Sequence, residues 1–360
     1  MTLNHRARTG AVAVVAILAV ALASCSSPAP SVPKPSAPAT SRPSPSASPS
    51  ASGPITIAFA GDVHFAGRTA KLLDDPSTAF GPIAKQFQSA DLALVNLETA
   101  VTTGGSAEPK QYRFRTPGTA FDALRAAGID AAVMANNHAL DYGQAGLADT
   151  LAEAKKRDYP VVGIGHNADQ AWAPWIATVR GTRIAFIAVS QLHELSDVWT
   201  ATDQKPGEAS AWVNLPRTIA AVKAARKQAD VVIVYVHGGT EGQQCATPAQ
   251  QTLAKQLSEA GADAYIETHA HLLLGAGWLG STYVAYGLGN FLWWEDNALS
   301  NDTGVLTLSI SGKKVTGGKF VPAWITRTGQ PEVATGSEGR RITKKFEQLR
   351  SCTKLAATAE

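Results

Sequence analysis

Five short apolar runs in this chain each stop at a histidine, a carboxylate or an asparagine, and that recurrence restricts the fold more than any other feature. Residues 55–60 (ITIAFA) lead into Gly61-Asp62-Val63-His64, and residues 92–95 into Asn96-Leu97-Glu98. Residues 131–143 read AAVMANNHALDYG, an apolar start followed by Asn136, Asn137, His138 and Asp141. Residues 231–236 (VVIVYV) deliver His237, and residues 264–267 deliver Thr268-His269-Ala270-His271. Short β-branched runs of this kind are buried strands. Helical patterns at 119–127, 146–157, 217–228 and 248–260 lie between them, so the expected class is α/β. Polar groups crowded at the end of an apolar strand are where such folds carry sites.

Taken singly, each strand end has a bland reading. Gly-Asp after a strand is a common turn, and the Asn and Asp residues of 136–141 serve equally well as helix caps. Taken together they do not. The chain has eight histidines, and five of the seven beyond residue 5 sit at these five ends. Imidazoles, carboxylates and an Asn oxygen without a thiolate suit Zn²⁺, Mn²⁺ or Fe²⁺. The donors outnumber the needs of one ion. Two divalent ions bridged by a carboxylate would use them all, and such a pair activates water and holds an oxyanion or phosphoryl group.

The remaining segments are less informative. Residues 176–179 and 183–189 read as a hairpin about Gly181, and 303–310 and 314–321 as a closing hairpin. Two short strands flank Gly280. Residues 190–215 show no periodicity and carry Trp199 and Trp212, which reads as a long surface excursion. Residues 338–355 form a basic amphipathic helix whose Arg340, Arg341, Lys344 and Lys345 read as a solvated face.

The N-terminus reads as a targeting signal. Residues 1–8 are basic and 11–23 are uninterruptedly apolar, too short for a comfortable span. The run ends in Leu22-Ala23-Ser24-Cys25, which resembles the lipobox of bacterial lipoproteins. That resemblance implies cleavage of residues 1–24, lipidation of Cys25 and anchoring to the outer face of the cell membrane. Residues 25–53, almost wholly Ser, Pro and Ala, are an extended tether that cannot bury apolar surface. The expected organisation is then a domain over 54–330 and a C-terminal helix, 331–360, packed on it. The formal charge is +3, two units of which lie on Arg6 and Arg8 of the leader. Such a balance gives no sign of a nucleic-acid partner.

In order and spacing, GDVHFAGR, LALVNLETAV, MANNHALDYG, HGGTEG, HAH and YGLGNF resemble the CapA family of poly-γ-glutamate capsule proteins. Domains of that family look like calcineurin-type metallophosphoesterases, which implies a four-layer αββα sandwich. The resemblance implies Asp62, His64 and His271 on one metal and Asn137, His237 and His269 on the other. Glu98 would bridge them, with Asp62 an alternative bridge. His138 would donate a proton to the leaving group, and Arg68 and Glu241 would meet substrate charge. Asn290 matches the GNF element, in a turn or a functional role. Where many members carry a Met-like residue this chain has His64, which favours metal binding. The usual HWG, HPH and YSLGNF are here His237-Gly238-Gly239, His269-Ala270-His271 and Tyr286-Gly287-Leu288-Gly289-Asn290-Phe291, departures that bear on the pocket rim and the substrate.

In an oxidising compartment Cys245 and Cys352 are expected to pair, the alternative being two unrelated thiols. Two functions follow from the resemblance. One is a metal-dependent hydrolase of a phosphoester or of an amide in an envelope polymer. The other is a non-catalytic lipoprotein that binds or guides an anionic capsule polymer, alongside other capsule-synthesis proteins.

Overall fold

Alternate residues of each strand enter different cores, and this sets the layers. The computed structural model describes residues 53–360. The signal, Cys25 and nearly all of the tether expected from the sequence lie outside them. In the strand Ile55–Val63, Ile57 and Phe59 enter a central core while Ala58 and Ala60 enter an outer one. In the strand Val231–Gly238, Ile233 and Tyr235 enter the same central core, and Val232, Val234 and Val236 a third.

Two sheets therefore share one interior. The first runs Pro331–Val333, Lys314–Ile325, Asp302–Ser311, Ile55–Val63, Leu92–Leu97, Ala131–Val133, Val161–Val162, with Asn290–Leu292 also on Ile55–Val63. The second runs Ala276–Leu279, Thr282–Ala285, Ala264–His269, Val231–Gly238, Thr182–Ser190, Trp175–Val179. Phe59 meets Phe186 and Tyr235 across the gap, with ring centroids 6.5 and 6.2 Å apart. The Tyr235 hydroxyl donates to Ala60 O at 2.7 Å, so a buried phenol is satisfied by the opposite sheet.

Helices cover both outer faces. Thr119–Ala126 and Gly143–Lys156 bury Phe121, Leu124 and Leu147 against the first sheet. Leu215–Arg226 and Pro248–Ala260 bury Val222, Leu253 and Leu257 against the second. The result is the four-layer αββα sandwich. Pro248–Ala260 starts at a capping box of Thr247 and Gln250 and stops at Gly261, whose φ of 111° favours glycine.

Three segments differ from expectation. The second helix begins at Gly143, not residue 146, with Tyr142 at its N-cap and no side-chain cap, the Asp141 carboxylate being spent on His138 and the Phe114 N–H. Residues 190–215 are not wholly a surface excursion: Trp199, Glu208 and Ser210 are buried, while Val198 and Trp212 are among the exposed positions. Isolated pairings hold this segment, among them Gly207–Glu208 on Ile164–Gly165, and these leave no period. The C-terminal helix is Gly336–Gln348 followed by a 3₁₀ turn, Leu349–Cys352. Its Ile342 and Phe346 enter the central core beside Trp278 and Val315. Of its four basic residues, Arg341 and Lys345 bind the Asp302 carboxylate, Arg341 while remaining exposed. Among the described residues no helix is long and apolar enough to cross a membrane.

Candidate metal centre

The parallel strands of both sheets end on the same side, and their carboxyl ends bring the five polar clusters together. The backbone closes tightly there. Asp62 N donates to Gly289 O at 2.9 Å. A Cβ on Gly61 would lie 1.8 Å from that same oxygen, so the position before Asp62 admits only glycine. His269 and His271 hold φ angles of 96° and 56°, strained for any residue but glycine, and such strain gathers at functional sites.

Six acidic and imidazole residues form three overlapping groups, each with donor atoms within 4.8 Å of one another: Asp62, Glu98 and His271; Glu98, His237 and His269; and Glu241, His269 and His271. Glu98, His269 and His271 each belong to two of them. Asn137 adjoins the second, its Oδ1 2.9 Å from His237 Nε2. Asp62 accepts from Asn96 Nδ2 at 2.8 Å and from His269 N at 3.2 Å, and lies 3.4 Å from His271 Nδ1. His271 also contacts Asn290 Oδ1 at 2.8 Å, which gives that asparagine a place at the site.

These donors fit a divalent cation. Glu98 is fully buried and neither carboxylate oxygen has a hydrogen-bond partner; Oε1 lies 3.6 Å from His237 Nε2 and 3.7 Å from His138 Nε2. His269 Nδ1 is likewise buried without a partner. An unpaired buried carboxylate is costly, and a cation relieves it. Burial, reinforced by Asp62, pushes the Glu98 carboxyl well above the usual range. Burial also lowers His237 to about 4 and His269 well below the ordinary imidazole value, the neutral state that binds metal. His271 goes the other way: burial opposes its charge, but Asp62, Glu98 and Glu241 together raise it to about 9. Asp62 is held low, burial being overcome by His271, His237 and Asn96.

The other expected site residues divide. His138 lies beside Glu98, with Nδ1 2.6 Å from Asp141 Oδ2, and lines a cavity of about 240 Å³ with Glu241, His271 and Asn290. His64 is fully buried with both ring nitrogens unpartnered and belongs to none of the three groups; it stacks on Phe114 at 4.4 Å and meets the edge of Trp293 at 4.3 Å. Arg68 is not among the residues that line this cavity. Its guanidinium donates to the carbonyls of Trp293, Glu295 and Arg327 and so braces the segment that walls the cavity. Cys245 and Cys352 are joined as a disulfide.

Sequence reasoning passed over several contributors. Asn96 reaches both Asp62 and His237 Nδ1, the latter at 3.1 Å. Asn136 donates to Asn96 Oδ1 and accepts from His138 N at 3.0 Å. Both stand at strand ends, where the signal was present but unassigned. Tyr112, Trp293 and Trp294 of the cavity wall lie in segments without periodicity.

Residues 56–293 match the family model described as "Bacterial capsule synthesis protein PGA_cap". The chain is 27% identical over 271 residues to the PGA biosynthesis protein CapA of Bacillus subtilis (strain 168), covering 74% of this chain and 70% of that one. It is 25% identical over 311 residues to the capsule biosynthesis protein CapA of Bacillus anthracis, covering 84% and 74%. Among solved structures, the NAD nucleotidase of Haemophilus influenzae superposes with a TM-score of 0.46 at 14% identity, over 85% of this chain and 65% of that one.

Proposed function

This chain belongs to the bacterial capsule synthesis family PGA_cap, and from that membership we propose that it is a divalent-metal-dependent hydrolase of the cell envelope. Its substrate would be a phosphoester or an amide of an envelope polymer. The observation that carries the reading is Glu98: a buried carboxylate with no hydrogen-bond partner, in contact range of His237 and His138. Asp62, Glu98 and His271 would hold one cation, and Glu98, Asn137, His237 and His269 a second, drawn from Mn²⁺, Zn²⁺ or Fe²⁺. Such ions supply Lewis acidity that makes water nucleophilic at neutral pH and stabilises charge on a transferred group. His138, held by Asp141, presents Nε2 to the cavity as the proton-handling group. Glu241 reaches the site from an exposed loop and lies 3.9 Å from His271.

A non-catalytic guide for an anionic polymer finds less support. The residues lining the cavity include Glu241 and Glu295 and no lysine or arginine, and Arg68 is committed to backbone carbonyls. Such a lining repels a polyanion unless bound cations offset it. The same reading places the protein on the outer face of the membrane, tethered through a lipid on Cys25 and acting with other capsule-synthesis proteins. The lipobox-like sequence and a disulfide typical of an oxidising compartment support that location.

Elemental analysis of the purified chain tests the proposal, beside an Asp62→Ala/His271→Ala control. Near two transition-metal equivalents, lost in the control, is the expected result. A chain that takes up no metal after reconstitution with Mn²⁺ or Zn²⁺ overturns the hydrolase reading.

A further inference from the structure

One buried cation is unused by the site as described. Lys110 lies in the loop between the short strands Ala100–Val101 and Arg115–Thr116, and its side chain is only 3% exposed. Its ammonium lies 3.0 Å from Asp141 Oδ1 and 3.2 Å from Glu194 Oε2, and donates to Asn137 O. The Trp199 ring closes another side, its centroid 5.1 Å from Nζ. Burying a lysine this far is expensive unless its charge is matched and its donors are taken, and both conditions hold.

The Asp141 carboxylate is thereby divided. Oδ1 faces Lys110, while Oδ2 accepts from Phe114 N at 2.5 Å and lies 2.6 Å from His138 Nδ1. Lys110 Nζ itself stands 3.5 Å from that same nitrogen, too far to compete with the carboxylate for it. Burial raises the Asp141 carboxyl to about 7 and Lys110 opposes that rise, favouring the charged form, whose Oδ2 stands where it can accept from Nδ1. The ring is held with Nδ1 toward Asp141 and with Nε2 toward Glu98 and the cavity.

We propose that Lys110 is a positioning residue: through Asp141 it sets the tautomer and orientation of His138, so that Nε2 is the nitrogen that exchanges a proton with substrate. The proposal rests on the hydrolase reading for its consequence in turnover, but not for the tautomer itself. The signal is absent from the His138 motif, because the lysine comes from a loop 28 residues earlier.

Two readouts test it on the full chain. In metal-free protein labelled with 15N-histidine, with His138 assigned by loss of its signals in His138→Gln, the ring shows protonated Nδ1 and bare Nε2. In Lys110→Met that preference is lost, and in Lys110→Arg it is kept. With p-nitrophenyl phosphate and Mn²⁺, Lys110→Met lowers kcat by about 10- to 100-fold with KM nearly unchanged, and Lys110→Arg recovers most of the loss. Lys110→Gln replaces the Met variant if that one does not fold. An unchanged tautomer in a folded Lys110→Met protein overturns the assignment and leaves Lys110 as a tie between loops. Wild-type protein that binds metal but turns over no phosphoester, with the tautomer shift present, counts against phosphoester hydrolysis and leaves the assignment standing.

Discussion

The floor of the cavity and its wall are held by different means. On the floor Asp62, Glu98, His237 and His269 stand at or just past the ends of central strands. All four are buried, and Asp62 and His237 are cross-linked through Asn96. The wall comes from the irregular segments around Tyr112 and 293–300, where Tyr112 and Leu299 are more than half exposed. A floor residue shifts only if a sheet changes register, which would flip every side chain of the strand. A wall residue shifts with a loop. The chemistry is therefore the rigid part of this molecule and the selection of substrate the adjustable part.

Four changes would break or sharpen that contrast. His138→Asn is expected to reduce turnover by about 10²- to 10⁴-fold while metal content stays at the wild-type level, read by elemental analysis beside steady-state kinetics. Glu98→Gln should weaken metal binding by more than the roughly 100-fold of an outer-shell change, and should raise the melting temperature of the metal-free chain, because it removes an uncompensated buried carboxylate. Calorimetry in chelator decides this, and a lower melting temperature would mean that Glu98 is paired in the metal-free state. Asn96→Ala, one contact further out, should cost about 10- to 100-fold in metal affinity. Trp294→Ala on the wall should change KM by only a few-fold and leave metal content alone. Lost metal in that variant would erase the distinction between floor and wall.

The floor also carries a pH signature. His271 has a folded pKa of about 9 against the ordinary 6.5. Its proton therefore stabilises the metal-free fold fully below pH 6.5, and that contribution is lost as pH rises toward 9. Glu208 and Glu267, raised to about 8 by burial, weaken the fold in the same direction, so the His271 share is the difference between wild type and His271→Gln. Melting curves in chelator should fall across pH 6.5–9. With Zn²⁺ bound the fall should shrink, because the cation takes the place of the proton.

What was legible in the sequence follows the same division. Strands such as Val231–Gly238 are continuous apolar runs, and the helix Pro248–Ala260 carries its cap and its stop in Thr247 and Gly261. Ligand candidates stood out because strand ends deliver them at fixed offsets. His64 shares a strand end with Asp62; its ring lies against Phe114 and Trp293, which its neighbours in sequence do not foretell, and both of its nitrogens are buried without a hydrogen-bond partner. Arg68 is a related case. Its charge suggested substrate, but its partners are carbonyls more than 220 residues away, visible only in the fold. Residues 190–215 hid their burial because scattered pairings need no repeating pattern.

The disulfide has a consequence for the order of construction. Cys245 lies four residues beyond Glu241, and its partner Cys352 comes 107 residues later, near the end of the chain. Every strand that carries a metal-site donor has been made by residue 271, but the loop bearing Glu241 is fastened only once residue 352 exists and a thiol oxidant is at hand. Closing that clasp is therefore a redox event that waits for residue 352, and a protein truncated shortly before Cys352 would carry the donors of the floor without it.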